Sequence, residues 1–195
     1  MPRSSSTEPT NGAPPPTRAR DALLALVAFA ALAVALFSPN LPYLTTHAIG
    51  STGTDGLKHV WGQWWVWDQL RSTGTLPLAT DLIYFPEGGD FFCLDTGNAL
   101  LTAPLRLFAA PLVVYNLLYI LHTTLNGWAA WWLARDLTAD SRASLVAGAL
   151  FAIGAPALAF PVNSGVSEAA FAFPLPLIWW AGIRLLRDRR WRDAA

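Results

Sequence analysis

The sequence predicts an all-α membrane protein, with four transmembrane helices and a long external first loop that carries an interfacial amphipathic helix. Only 13% of the 195 residues are charged and 53% are hydrophobic, whereas a soluble domain carries about 25% charged residues. Long apolar segments recur along the chain, and arginines collect at alternate ends of those segments. Ten tryptophans favour the same class, because indole rings prefer the interface between lipid and water.

The membrane domain is predicted over residues 21–195, after a disordered cytoplasmic segment at 1–20. The disordered segment is rich in Pro, Ser and Thr and has too little apolar surface to offset its ordering entropy. A membrane span needs about 20 apolar residues, and the predicted spans are about 22–38, 112–134, 143–160 and 169–186. The first span also fits a cleaved signal peptide, but the later apolar runs favour an uncleaved helix. The apolar segment 99–110 is too short to span, so it predicts a re-entrant or interfacial element.

Arginines near the ends of the spans predict the orientation, because basic residues collect on the cytoplasmic side. Arg18 and Arg20 precede the first span, and Arg135 and Arg142 flank the connection between the second and third. Five more arginines fall within 184–192. Four spans with both termini in the cytoplasm satisfy this pattern and place the loop at 43–98 outside. The sequence therefore predicts a multi-pass protein of the cell inner (plasma) membrane.

The charge balance and the single cysteine exclude several other classes. Thirteen basic and thirteen acidic residues cancel, so nothing attracts nucleic acid in general. Cys93 is the only cysteine, which excludes an internal disulfide and a cysteine-rich metal site. The chain has no P-loop, no dinucleotide fingerprint and no diagnostic metal-ligand spacing. No metal site is predicted, and the cofactor stays unknown, with a divalent cation left open by the external carboxylates.

A tryptophan-rich stretch, Thr54 to Arg71, lies in the longest polar gap of the sequence. At 3.6 residues per turn, positions 57, 60, 61, 64 and 68 share one face of a helix. Such a helix would lie along the membrane surface with its rings among the lipid headgroups. The alternative is that the tryptophans are only an aromatic belt that anchors the loop.

Asp55 is the candidate catalytic residue of this stretch, and Lys58 and His59 are candidate substrate-binding residues. A carboxylate here can act as a general base or hold a divalent cation, but Asp before a helix is also a common N-cap. Cations near a helix N-terminus suit phosphate recognition, or they simply face water. Glu168 is a third candidate for substrate binding, because no other charged residue outside the long loop is predicted on the side of Asp55. The alternative is an acid favoured by a helix dipole.

Other acidic residues of the loop read as solvated turn residues: Asp81, Glu87, Asp90 and Asp95. The second span carries a polar face, which turns toward protein or a cavity because polar groups are costly in hydrocarbon: Asn116, Tyr119, His122, Thr123 and Asn126. Ser144, Gly148 and Ala152 repeat small residues every four positions of the third span, which predicts close helix packing.

The order of several short motifs resembles the N-terminal part of the polytopic glycosyltransferases of the GT-C fold, and of the bacterial membrane proteins grouped with them. The resemblance runs from about residue 20 to the end. The matching motifs are Thr54-Asp55-Gly56 with the aromatic helix, Ile83–Gly88, Pro104-Leu105, Tyr115–Leu117, Trp132–Thr138 and Ala147–Ala152.

The resemblance implies transfer of a sugar from a polyprenyl-phosphate donor outside the cytoplasm. A carboxylate of the first external loop acts there as base or places the acceptor or a metal, and Asp55 matches it by position. Lys58 and His59 are then contacts for the donor phosphate, and membrane lipids are the surrounding partners.

The predicted architecture departs from that family, whose fold needs at least seven spans where four are predicted here. We therefore expect an incomplete protein that works with a missing C-terminal half or a partner subunit. The alternative function, from another class, is a non-catalytic multi-pass membrane subunit whose external loop binds a partner or lipid.

Overall fold

The computed structural model describes residues 19–51, 53–90, 95–154 and 158–188. It is 74% helix with almost no sheet, so the all-α class is confirmed. The α-helices are α1 Ala19–Phe37, α2 Gly56–Thr73, α3 Thr96–Thr102, α4 Pro111–Thr138, α5 Ser141–Ile153, α6 Phe160–Ser164 and α7 Pro174–Asp188. Short 3-10 helices cover Ser38–Tyr43, Leu105–Leu107 and Ser167–Ala170. Two short antiparallel strands, β1 Ala79–Thr80 and β2 Gly89–Asp90, pair within the long loop.

Some predictions fall outside the described residues. They concern the disorder of residues 1–18, the state of Cys93, and the arginines after Asp188. The segment at 99–110, predicted as a short element, forms the end of α3 and then the 3-10 turn Leu105–Leu107. Within the segment predicted as a third span over 143–160, α5 extends to Ile153 and α6 begins at Phe160.

Helix α4 is the centre of the bundle and packs against α1, α5 and α7. The indole Nε1 of Trp128 donates to the carbonyl of Ala22 at 3.1 Å, and the ring of Phe37 lies 6.1 Å from that of Tyr119. The start of α1 therefore meets the later part of α4, and the two helices run antiparallel.

Small residues let α5 pack closely on its neighbours, as predicted. Ser144, Gly148 and Ala152 are buried. A β-carbon at Gly148 would stand 2.6 Å from the carbonyl oxygen of Gly127, and it would also overlap the ring of Phe29. No side chain fits at position 148 unless the three helices move apart.

The described ends of the chain lie at the same end of the bundle. Arg184 of α7 places Nη2 2.6 Å from Asp136 Oδ1 near the end of α4, so α4 and α7 run in the same direction. The start of α1 and the α4–α5 turn share this end, because Asp21 and Ser141 line one cavity. The loop between α1 and α4 and the turn before α7 are at the opposite end.

Two helical segments are long and apolar enough to cross a membrane: Ala19–Tyr43 and Ser167–Arg187. Only 28% and 11% of their most apolar windows are buried in the protein, so most of their apolar surface faces outward. Helix α4 has the length to span, since 28 residues rise about 42 Å at 1.5 Å each, but its buried face is polar. The four-span arrangement stays a prediction.

Candidate functional site

The buried face of α2 carries two polar side chains that the sequence does not single out as a buried pair. His59, Gln63 and Val66 are buried at helical spacing, together with Gly56 and Gly62. Of positions 57, 60, 61, 64 and 68 only Leu57 is exposed, at 72%; the others are half-buried, and Val60 and Trp61 pack against hydrophobic core residues. The rings of Trp61 and Trp65 stack on each other with centroids 6.4 Å apart. Helix α2 thus turns its polar side toward α3 and α4.

The start of α2 is held against the turn that precedes α7. The backbone N–H of Asp55 donates to the carbonyl of Ser164 at 3.2 Å. Gly165 has φ +70°, and a β-carbon there would stand 2.6 Å from the nitrogen of Gly56. This close approach of two backbones brings the first turn of α2, which carries His59, against Glu168.

Asp95 lies at the start of α3 with its carboxylate buried and fully hydrogen-bonded. Its Oδ1 accepts from Asn98 Nδ2 at 2.5 Å, and its Oδ2 accepts from Gln63 Nε2 at 2.5 Å and from the Ser167 hydroxyl. Its backbone is left-handed, with φ 60°, a conformation that Asp tolerates better than most residues. Burial raises the pKa of the Asp95 carboxyl above its usual value, although the bonds from Ser167 and Gln63 oppose the shift.

His59, Asp95 and Glu168 meet in one buried group, which we name the His59–Asp95–Glu168 cluster. His59 Nδ1 lies 2.7 Å from Glu168 Oε2 and 3.7 Å from Asp95 Oδ2. One potential ligand atom from each residue falls within 4.8 Å of the others. The side chains of His59 and Asp95 are 1% and 0% exposed, while that of Glu168 is 44% exposed, so the cluster opens toward solvent on the Glu168 side.

The polar face of α4 is connected to the cluster by hydrogen bonds. All five predicted residues of this face are buried, as expected from the cost of polar groups in hydrocarbon: Asn116, Tyr119, His122, Thr123 and Asn126. His122 Nε2 lies 2.7 Å from Asn98 Oδ1, which extends the network from Asp95 into the bundle. The hydroxyl of Tyr115 donates a hydrogen bond to the carbonyl of Gly165 at 2.9 Å. This bond helps to hold the turn before Glu168.

Asp55 and Lys58 lie at the exposed edge of the same helix start. Lys58 Nζ is 2.9 Å from Asp55 Oδ2, and both side chains are about half exposed. Asp55 occupies the N-cap position, but its side chain makes no capping hydrogen bond, so the alternative that it serves as a side-chain cap is wrong. The hydrogen bond and the charge of Lys58 lower the pKa of the Asp55 carboxyl, which keeps it ionised at neutral pH.

The structure therefore joins two of the predicted substrate-binding residues, His59 and Glu168, and pairs the third, Lys58, with Asp55. The acidic residues of the loop separate. Asp95 is buried in the cluster, whereas the other three line an open groove beside Trp65 and Gln69: Asp81, Glu87 and Asp90.

The sequence alone does not identify Asp95, Gln63 and Ser167 as site residues. Asp95 resembles the solvated turn acids around it, and Gln63 stands among tryptophans. One signal was available, since Gln63 follows His59 at the i, i+4 spacing that places two side chains on one helix face.

No family model, curated protein or solved structure matches this chain. The function of the protein is therefore inferred from the residues and geometry of the site.

Proposed function

We propose that this chain is the donor-side part of a GT-C-type glycosyltransferase of the inner membrane, which transfers a sugar from a polyprenyl-phosphate donor on the external side. One observation carries the proposal. A buried group of ionisable residues is assembled from three distant stretches, around residues 59, 95 and 168, at one end of a bundle whose outer surface is apolar. Such groups in a solvent-accessible position are characteristic of functional sites.

The two ends of the bundle differ in a way that fits this orientation. The end opposite the cluster carries most of the described arginines: Arg20, Arg135, Arg142, Arg184 and Arg187. Basic residues collect on the cytoplasmic side of membrane proteins, so the cluster end faces outward. A lipid-linked donor reaches that end from the outer leaflet, with its phosphate at the level of the headgroups.

In the proposed reaction Asp55 is the general base. Its carboxylate takes the proton of an acceptor hydroxyl, the acceptor oxygen bonds to the anomeric carbon, and the bond from that carbon to the phosphate oxygen breaks. Polyprenyl phosphate leaves with the bonding electrons. General base catalysis of this kind contributes about 10²- to 10⁴-fold to the rate.

The donor phosphate needs positive charge at this end of the protein. Lys58 is the single lysine of the sequence, and the start of α2 adds the positive end of a helix dipole. His59 follows Lys58 on the buried side of α2, and Glu168 faces it at 2.7 Å. Glu168 alone would repel a phosphate, so its role depends on a cationic partner.

A second function is favoured by a separate observation. Three aromatic side chains, two in the long loop and one shortly after it, are almost fully exposed: Tyr84 at 80%, Phe85 at 81% and Phe108 at 88%. Exposed aromatic side chains at one end of an apolar bundle suit contact with lipid headgroups or a partner subunit. In that case the loop is a docking element and the protein need not be catalytic.

The test uses membranes of the source cells after deletion of the gene and complementation with the full-length chain. Transfer from radiolabelled polyprenyl-phosphate hexoses and pentoses is measured for the wild type, Asp55→Asn and Lys58→Ala. We expect Asp55→Asn to reduce transfer at least about 100-fold, with the protein level unchanged. Glu87→Gln, an exposed carboxyl of the loop outside the site, is the matched control and keeps wild-type transfer. Wild-type transfer by Asp55→Asn would exclude Asp55 as the base, and equal transfer with and without the gene would leave the docking function.

A further inference from the structure

We propose that the His59–Asp95–Glu168 cluster binds one divalent transition-metal cation, Zn²⁺ or Mn²⁺, through His59 Nδ1, Asp95 Oδ2 and Glu168 Oε2. Neither the sequence motifs nor the resemblance to glycosyltransferases assigns a metal to these three residues.

The distances among the three atoms are close to those of ligands around one ion. Ligand atoms at about 2.0 to 2.2 Å from a metal, at tetrahedral or octahedral angles, stand about 2.8 to 3.6 Å apart. In the protein His59 Nδ1 is 2.7 Å from Glu168 Oε2 and 3.7 Å from Asp95 Oδ2, and no pair in the group exceeds 4.8 Å. The separation of 2.7 Å lies just below this range and that of 3.7 Å just above it.

The imidazole of His59 is the second and independent indication. It is 1% exposed, and neither ring nitrogen makes a hydrogen bond of normal geometry within the described residues. Nδ1 stands 2.7 Å from Glu168 Oε2 and 3.7 Å from Asp95 Oδ2, so it points into the cluster. Buried polar atoms are nearly always satisfied. A cation between Nδ1 and the carboxylates would use the ring lone pair in place of the missing bond.

Charge leads to the same conclusion. Two carboxylates face one imidazole, so the cluster is negative even when His59 is protonated. Buried charges are normally paired or coordinate metals, and the other nearby cation, Lys58, is engaged by Asp55 at 2.9 Å. A divalent ion balances the two carboxylates while leaving His59 neutral.

The surroundings of Asp95 resemble the outer shell of a metal site. Asn98, Gln63 and Ser167 all donate to its carboxylate, and Asn98 is itself in contact with His122. Hydrogen bonds of this type fix the orientation of ligating carboxylates and raise metal affinity. Asp95 is thus held in one orientation, and an ion on Oδ2 would replace one of the two hydrogen bonds that this oxygen accepts.

One imidazole and two carboxylates suit Zn²⁺ or Mn²⁺ better than ions that prefer thiolates or an all-oxygen cage. Three protein ligands leave positions free, and Glu168, 44% exposed, lies on the open side. Catalytic metal sites keep such a free position. We assign it to a phosphate oxygen of the donor, and this assignment rests on the proposed function, whereas binding of the ion does not.

Metal binding is measured on the purified full-length chain in detergent after treatment with EDTA. Calorimetry with ZnCl₂ and electron paramagnetic resonance with MnCl₂ give the stoichiometry and affinity. We expect one ion per chain, and a loss of affinity of at least about 100-fold in His59→Ala, Asp95→Asn and Glu168→Gln. The matched control, Asp81→Asn with Asp90→Asn, removes two carboxyls from the neighbouring groove and keeps wild-type affinity.

If the variants of the buried residues fail to fold, Glu168→Gln decides the outcome, because the Glu168 side chain is half exposed. Tryptophan fluorescence checks that the Glu168→Gln variant is folded. Absence of binding in the wild type, or unchanged affinity in Glu168→Gln, overturns the proposal and leaves His59 as a structural partner of the two carboxylates. Equal loss in the groove control overturns it as well. Binding of one ion without sugar transfer would contradict the proposed function and support the metal site. Sugar transfer that EDTA does not reduce, without ion binding, would support the proposed function and contradict the metal site.

Discussion

Gly165 lies directly against Gly56, the first residue of α2, and a β-carbon at position 165 would stand 2.6 Å from the Gly56 nitrogen. This contact fixes where α2 begins relative to the turn before α7. Three residues after each glycine the chain reaches a side chain of the candidate site, His59 after Gly56 and Glu168 after Gly165. The spacing between His59 and Glu168 therefore depends on the absence of a side chain at position 165.

The first prediction is that Gly165→Ala disrupts the site. The new methyl group meets backbone atoms that cannot rotate away, so α2 must shift and His59 must move from Glu168. We expect a destabilisation of about 1 to 3 kcal/mol together with loss of transfer activity or metal binding.

Gly53→Ala is the matched control for this substitution. Gly53 has φ +78°, similar to the +70° of Gly165, but a β-carbon there meets nothing within 4 Å. It therefore carries the same backbone penalty without the clash. Thermal unfolding followed by tryptophan fluorescence compares the two variants. Equal melting temperatures would show that backbone strain, and not the contact with Gly56, determines the effect.

The second prediction concerns the packing of α5. Gly148→Ala inserts a methyl group between the Gly127 carbonyl and the ring of Phe29, and overpacking of this kind costs about 1 to 3 kcal/mol. Gly182→Ala, in α7, meets nothing within 4 Å and should not lower stability, since Ala is the better helix former by about 1 kcal/mol. The midpoint of thermal unfolding in detergent separates the variants. A lower midpoint for Gly182→Ala than for Gly148→Ala would contradict the packing described here.

The helices and the polar face of α4 could be predicted from sequence because they depend on local properties. Apolar length predicts α1 and α4, and the spacing of His122 and Asn126 places both on one helix face. The orientation of α2 could not be obtained in this way. The tryptophans draw attention to one side of the helix, but the protein buries His59 and Gln63 because their partners are other polar groups.

Those partners come from stretches far away in the chain. Gln63 and Asp95 are 32 positions apart, and Ser167 and Asp95 are 72 apart. Nothing in the spacing of a single sequence records such pairs. The turn that brings these residue pairs together depends on Gly165. The role of Gly165 follows from its contact with the backbone of Gly56, which the sequence does not show.

The third prediction tests how α7 is held to α4. Asp136, with a side chain 8% exposed, lies 2.6 Å from Arg184 and 3.7 Å from Arg187. Asp136→Asn leaves both guanidinium groups without their carboxylate. Because the arginines are nearly half exposed and solvent screens them, we expect a loss of only about 1 kcal/mol. A double-mutant cycle with Arg184→Gln measures the coupling, and a coupling energy near zero would mean that packing alone positions α7.

The fourth prediction follows from the contact between Lys58 and Asp55. Lys58 holds the pKa of the Asp55 carboxyl below its usual value of 3.8. A general base acts only when ionised, so transfer activity falls as the pH drops through this pKa. Lys58→Met removes the hydrogen bond and the charge, and the acidic limb of the pH–activity profile should move to higher pH.

The same shift affects stability in a defined direction. A carboxyl whose pKa is lowered by folding stabilises the fold above its unfolded pKa, and this contribution is lost as the pH falls through the folded value. Asp55 is exposed, so the change in stability is small and the activity profile is the better measurement. Lys58→Arg keeps the charge and should retain the wild-type limb. If Lys58→Met leaves the limb in place while Asp55→Asn abolishes transfer, Lys58 does not set the ionisation of the base, and its contact with Asp55 has no part in catalysis.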